Sequence, residues 1–344
     1  MSEAVSVELY TPSRKQDWEN FVLGSTAATI AHDLRWKAVV EETYGRRSFY
    51  LLAYRERQVV GVLPLFLIKS LIFGRSLVTS PFLTFGGLLA ADDDASAALV
   101  EYAKKIADQQ KVKYTEIRND HATPHLEHTK LSYFTLVLDL STGEEKLLKS
   151  LHSTARRNVK KAQQSGLEVV EGVEHLDAFV KINFKNMHRL GTPAHGPVFF
   201  KNIVKHFPDS ILLMARHQQK WVGGMLLVSF KKTIHMPWVA ALEEYFEMRP
   251  NNLLYWEAIA RAARRGFQFF DFGRSKEDQG TFRFKSQHGA QPVQLYYQYY
   301  LSGANEMPNI DPEASTFKIL VEIWKKLPLP VVNLVGQRLI GMIP

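Results

Sequence analysis

Alternation of apolar and polar residues marks two hairpins in this chain. Ala53–Leu67 (AYRERQVVGVLPLFL) alternates, breaks at a polar turn and resumes, which predicts a β-hairpin. Ala215–Ser229 (ARHQQKWVGGMLLVS) has the same form. Aligned without gaps, Ala53 falls on Ala215, Val60 on Val222 and Gly61 on Gly223. Helical spacing precedes each hairpin, over Asp17–Leu23 and Asp33–Thr43 in one case and over Leu176–Leu190 and Phe199–His206 in the other. A helix and a short strand follow each: Ala95–Gln109 with Lys113–Arg118 (KYTEIR), and Asn252–Arg265 with Phe267–Phe272 (FQFFDF). An acidic residue, Glu116 or Asp271, sits inside each of these strands.

The order helix, helix, hairpin, longer strand, helix, strand therefore occurs twice, and so long a period points to duplication of a domain. It is the order of a GNAT fold, a mixed sheet flanked by helices. Tyr133–Leu138 is expected to close the first half and Val293–Leu301 the second, with the boundary near Leu140–Gly143, where Ser141 and Thr142 can cap a helix. The expected architecture is α/β (α+β). It comprises two tandem GNAT-like domains, residues 1–140 and 141–302, and a C-terminal amphipathic tail over residues 303–344.

Glu144–Ser165 (EEKLLKSLHSTARRNVKKAQQS) predicts one helix ended by Gly166. Leu147, Leu148, Leu151, Ala155, Val159 and Ala162 share an arc, and Lys149, Ser153, Arg156, Arg157, Lys160 and Lys161 lie opposite. Such a stripe is either a solvated face or a site for phosphates. Arg156, Arg157 and Lys160 are its candidate substrate-binding residues.

The chain has 344 residues, enough for two cores, and no cysteine, which excludes disulfides, thiolate metal sites and a cysteine nucleophile. No His-x-x-x-His or paired-carboxylate spacing stands out, so no metal is expected. The net charge of +8 suits an acidic partner such as a phosphorylated substrate, a CoA-like donor, RNA or anionic lipid, or merely a basic surface. No run reaches the roughly 20 apolar residues of a membrane span, and the N-terminus lacks a signal peptide's apolar core, so a cytoplasmic location is expected.

Polar residues concentrate in Phe270–Gln291 (FDFGRSKEDQGTFRFKSQHGAQ), directly after a strand. Arg274, Ser275 and Lys276 should emerge at the strand end, and Lys285 and His288 on a short helix over Thr281–His288. Pro250 with Asn251 and Asn252 can start a helix after the strand Ile234–Leu242. A helix start of this kind receives anions, which makes Arg249, Asn251, Asn252 and Leu253 candidates for binding a donor. The Arg-x-x-Gly-x-Gly/Ala signature of CoA binding is absent; Arg249-Pro-Asn-Asn stands there.

Phe272-Gly-Arg-Ser, Gly280-x-x-x-Phe284-Lys285 and Gly289 resemble the end of Fem-family proteins, and more closely FemAB-like proteins associated with exosortase (PEP-CTERM) systems. Ser153-x-x-Arg156-Arg157-x-x-x-Lys160-Ala-x-x-Ser-Gly166-Leu167, Arg249-Pro-x-Asn252-Leu253-Leu254 and the proline-rich tail fit the same group. The resemblance spans nearly the whole chain. It implies an N-acyltransferase passing an acyl or aminoacyl group to an amine of a cell-envelope or exopolysaccharide precursor. The donor is open: acyl-CoA, acyl carrier protein or aminoacyl-tRNA, none of them tightly bound. The long helical arm of some Fem enzymes is missing, so tRNA is not the favoured donor. By the same resemblance Lys285 matches the Fem lysine beside the reacting ester. Arg274 could hold a phosphate or carboxylate, and His235 and His288 are candidate bases because histidine titrates near neutral pH. Other readings place Lys285 in an ion pair with Asp271 or Glu277 and make Asp271 structural.

The tail, Ser315–Ile343, groups Phe317, Leu320, Val321 and Trp324 at helical spacing, breaks at Leu327-Pro-Leu-Pro and resumes an apolar pattern over Val331–Ile343. With Lys318, Lys325, Lys326 and Arg338 it could lie on the inner face of the cytoplasmic membrane, pack back on the protein, or make a dimer contact. The acceptor could be a small molecule or lipid-linked, and the oligomeric state is open. A different class of function, a catalytically silent GNAT-like scaffold of an envelope-assembly system, fits the same sequence, as does RNA binding through the basic helix.

Overall fold

The structure is a computed structural model that describes residues 4–70, 74–304, 306–308 and 315–343. The elements run β1 (Val5–Leu9), α1 (Lys15–Gly24), α2 (Leu34–Tyr44), β2 (Ser48–Arg55), β3 (Gln58–Ser70), β4 (Gly74–Val78), β5 (Leu89–Ala90), α3 (Asp93–Gln110), β6 (Tyr114–Asn119) and β7 (His128–Asp139). Then come α4 (Glu144–Ser150), α5 (Ser153–Gln164), β8 (Glu168–Glu171), α6 (Leu176–Arg189), α7 (Pro197–His206), β9 (Ile211–His217), β10 (Lys220–Phe230), β11 (Thr233–Ala241), α8 (Pro250–Arg264), β12 (Phe269–Ser275), α9 (Gly280–Ser286) and β13 (Gln291–Leu301). The tail forms α10 (Ser315–Lys326) and α11 (Leu329–Ile340).

The two hairpins match in detail. Ala53 pairs with Gly61 and Ala215 with Gly223, and each ladder loses register at the next residue, so that Val60 in one hairpin and Val222 in the other form the bulge. A bulge inserts an unpaired residue at a defined point and bends the strand. Its recurrence at positions that align in sequence is what duplication produces.

The chain forms two compact units. One comprises Met1–Tyr133 with Gln294–Asn309 and Gly341–Pro344, and the other Phe134–Val293 with Ile310–Ile340. In the first, strands run in the order β1-β2-β3-β4-β6-β13, and in the second β7-β12-β11-β10-β9-β8. The closing strands are thus exchanged relative to expectation. Val293–Leu301, expected to finish the second sheet, pairs with β6 through Tyr296–Leu301. Tyr133–Leu138, expected to finish the first, pairs with β12 through Phe134–Asp139. The local residue pattern of a strand marks it as part of a sheet but does not say which edge it joins.

In each unit a helix bank seals one sheet face. Leu51, Leu63 and Leu65 pack with Leu99, Val100 and Ile106 of α3, and Leu213, Met225 and Ile234 pack with Leu254, Ala258 and Ile259 of α8. The expected helix Glu144–Ser165 is a second correction. Leu151 and His152 are extended (ψ 138° and 146°), dividing it into α4 and α5. The His152 imidazole Nδ1 accepts from the Thr154 N–H at 3.2 Å, capping α5, and Leu148 is left exposed. Ending at Gly166 (φ 77°) follows expectation.

Gly224 on β10 lies where helix α6 meets the sheet. A Cβ there would stand 2.6 Å from Met214 Sδ and 2.8 Å from the Phe179 ring. Gly224→Ala is therefore expected to destabilise the protein by about 1–3 kcal/mol through overpacking, read as a lowered Tm in a thermal melt.

Candidate active site

In the second unit β11 and β12 run parallel but pair only over Thr233–His235 with Phe269–Asp271. Beyond that point β11 continues against β10, and β12 continues against β7 after a bulge between Asp271 and Arg274. Where two strands part, their facing N–H and C=O groups are released for other partners. His235 and Asp271 are the last paired residues, at the apex of that opening.

There they form a dyad. His235 Nδ1 lies 3.1 Å from Asp271 Oδ2. The other carboxylate oxygen accepts from Thr135 Oγ1 of β7 at 2.6 Å and from the Gly273 N–H at 2.8 Å. A carboxylate can only accept, so Nδ1 carries a proton, and in the neutral ring Nε2 presents a lone pair. That Nε2 is buried and has no hydrogen-bond partner. Burial would raise the Asp271 carboxyl, but the His235, Thr135 and Gly273 hydrogen bonds outweigh it and hold the group below the usual carboxylate range.

Gly273 adopts φ 71°, a left-handed conformation that lets its N–H turn back to Asp271 while its carbonyl faces α9. Lys285 on α9 takes up that carbonyl. Its Nζ donates to Gly273 O at 2.9 Å and to Arg274 O at 3.0 Å, with the residue 7% exposed. Burial pushes its pKa down to about 8, opposed by Asp271 and aided by the Arg274 charge. Gly273, bonded to Asp271 through its N–H and to Lys285 through its carbonyl, links the two side chains. Arg274 is exposed; Ser275 is buried and its hydroxyl points to Thr281 Oγ1 at 3.4 Å; Lys276 is half-buried.

His288 stands apart. Adjacent strand residues point to opposite faces, so Phe272 and Asp271 diverge, and His288 sits on the Phe272 side among Tyr255, Phe272 and Phe284. Its Nδ1 donates to Phe284 O at 2.8 Å, and burial holds its pKa below that of free histidine.

The start of α8 has no side-chain cap; Arg249 holds a left-handed conformation (φ 63°) and Pro250 occupies the first turn. Arg249 Nε and Asn251 Oδ1 are buried without partners, whereas Leu253 and Asn252 point into the protein. Arg156, Arg157 and Lys160 line the exposed side of α5. The His152 N–H at its start donates to Gln287 O at 2.9 Å, which ties the basic stripe to the end of α9, two residues beyond Lys285. A separate groove of about 620 Å³ is lined by Glu144, Glu171, Glu257, Arg261, Arg264 and Arg265, which pair with one another, and none of the residues above borders it. Among the described residues no three His, Asp or Glu side chains gather as a metal site would require.

The sequence offered His235 as a candidate base and gave no partner for it. Asp271 reads as a structural acid between phenylalanines, and Thr135 lies in a segment expected in the other half. Its one local signal is a hydroxyl in an otherwise apolar strand.

The first unit has the same opening without the dyad. β4 and β6 pair in parallel only over Ser76–Val78 and Tyr114–Glu116, so Val78 stands where His235 does. Glu116 pairs instead with Arg118. The segment after β4 is tied down by side chains: Trp36 Nε1 donates to Pro81 O and Tyr297 Oη to Thr84 O, while His32 Nε2 lies 3.1 Å from Gly87 O.

Residues 149–286 match the acetyltransferase (GNAT) domain family. No curated protein matches the chain by sequence. Among solved structures, FemX aligns with a TM-score of 0.67 at 16% identity, covering 87% of this chain and 98% of FemX. A tandem GNAT protein from the clavulanic acid biosynthesis pathway aligns at 0.57 and 10% identity, covering 88% and 100%. L-PGS from Bacillus licheniformis aligns at 0.54 and 12% identity, covering 94% and 97%. The chain thus has the tandem GNAT fold, and residues 149–286 are similar to the acetyltransferase (GNAT) domain.

Proposed function

We propose that the protein is an N-acyltransferase that passes an acyl or aminoacyl group to an amine of a cell-envelope or exopolysaccharide precursor. The observation that carries the reading is the buried, unpartnered Nε2 of His235, fixed as an acceptor by Asp271 at the point where β11 and β12 part. An attacking amine must lose a proton as its nitrogen bonds to the acyl carbon. His235 Nε2 takes that proton, and the departing thiolate or ribose oxygen receives it when the carbon–sulfur or carbon–oxygen bond breaks. The positive end of Lys285, held at the carbonyls of residues 273 and 274, faces the negative charge that develops on the acyl oxygen. The start of α8 and the α5 cations Arg156, Arg157 and Lys160 suit the phosphates of an acyl-CoA or a nucleotide-linked substrate. The likeness of the Phe272–Gly289 segment to exosortase-associated FemAB-like proteins supports the envelope assignment.

The test supplies acyl-CoAs, acyl carrier protein and charged tRNA in turn, with amino-sugar and peptide amines, and detects the amide by mass spectrometry. Amide formation with one donor class is expected. If no donor class gives amide while an acceptor still raises the Tm, the chain is a binding module instead.

A further inference from the structure

We infer that α10 and α11 form a docking surface for an anionic lipid bilayer, independently of the acyl-transfer reading. Each helix has two distinct sides. On α10, Val321 and Trp324 face inward: Val321 lies over Gly191, where a Cβ would stand 2.5 Å from its Cγ1, and Trp324 packs on Gly336 of α11. On α11, Val332 is buried. The opposite sides are also apolar. Ile319, Leu320 and Ile323 share one exposed arc of α10, and Val331, Leu334 and Val335 share one of α11, with Ile319 66% and Leu334 68% exposed. Packing on the protein is satisfied by the inner sides, so a helix meant for water would carry polar residues outside.

The surrounding charge selects the occupant. Lys318, Lys325, Lys326 and Arg338 are all exposed, and Glu322, the one acid of the two helices, is paired with Lys325 at 2.8 Å. Outward aliphatics bordered by lysines fit an interfacial helix on anionic headgroups rather than a protein contact, where lysine is depleted. Each helix has 12 residues, about 18 Å at 1.5 Å per residue. That is short of the roughly 30 Å of a hydrocarbon core, so the pair lies along the surface. No described helix is long and apolar enough to cross a membrane.

Cosedimentation of the full chain with vesicles tests this. Binding is expected to phosphatidylglycerol–phosphatidylcholine vesicles, weakly or not to phosphatidylcholine alone, and to fall at high salt. Lys326→Gln should weaken it about fivefold, and Leu334→Ser about tenfold. Both positions point outward, so circular dichroism and Tm should stay unchanged. Absence of binding to the anionic vesicles overturns the inference. So does a dimer in sedimentation velocity that Leu334→Ser dissolves in a chain that ignores vesicles, which would make the face a contact between copies.

Discussion

Replacing Asp271 with asparagine lowers kcat about 10³- to 10⁴-fold while the protein stays folded. The reason is a proton on the wrong nitrogen. Thr135 Oγ1 and the Gly273 N–H both donate to Asp271 Oδ1, so the asparagine carbonyl must take that side. The amide NH₂ is then turned to His235 Nδ1, which has to accept. The imidazole proton moves to Nε2, and the lone pair that would receive the substrate proton is gone. His235→Gln should fall as far, with KM little changed in both variants, because neither position holds the acyl group. Asp271→Ala is a different experiment: it leaves three buried partners without an acceptor and should cost about 3 kcal/mol of stability. With an acyl-CoA donor, release of CoA thiol can be followed with a thiol reagent free of background, since the chain has no cysteine. If Asp271→Asn keeps wild-type kcat, the dyad is not the base.

Lys285→Met separates charge from packing. It should lower kcat about 10²- to 10³-fold by removing the cation at the Gly273 and Arg274 carbonyls. Wild-type turnover should in turn decline above about pH 8 as Lys285 loses its proton. The stability signature has the opposite sense. The folded group titrates near 8 and the unfolded one near 10.5, so between these values the unfolded chain holds a proton that the folded chain does not. Stability rises with pH wherever the unfolded state binds more protons. The wild type should therefore gain about 3 kcal/mol on Lys285→Met between pH 8 and 10.5, with no change in their difference below pH 8. Urea melts of the two proteins across that range read it directly. Parallel curves through pH 10 would mean that Lys285 is not held in a dehydrated site.

Local pattern carried much of this architecture and stopped at contacts between distant segments. The hairpins, α3, α8 and the helix stop at Gly166 follow from alternation, helical spacing and turn chemistry, all read within a few residues. The break between α4 and α5 escaped because Leu147, Leu151 and Ala155 keep helical spacing straight through two extended residues. The exchange of β7 and β13 escaped because partner choice is settled by which sheet edge is open, not by the strand itself. The site divides the same way. Arg274 was a candidate from its place at a strand end, His235 from residue type and Lys285 from the Fem resemblance. Thr135 and the orienting role of Asp271 required knowing that β7 lies beside β12. Phe317 of the tail arc has a side chain outside the described residues.

The exchanged strand bears on how the chain matures during synthesis. The first unit takes β13 as the neighbour of β6, yet the ribosome makes that strand only after the whole of residues 134–293. Until then the edge of β6 is exposed and able to recruit foreign strands. Nascent chains halted before residue 291 should be the ones that chaperones retain and proteases clear, and splitting the gene at residue 140 would deprive each product of a strand encoded in the other.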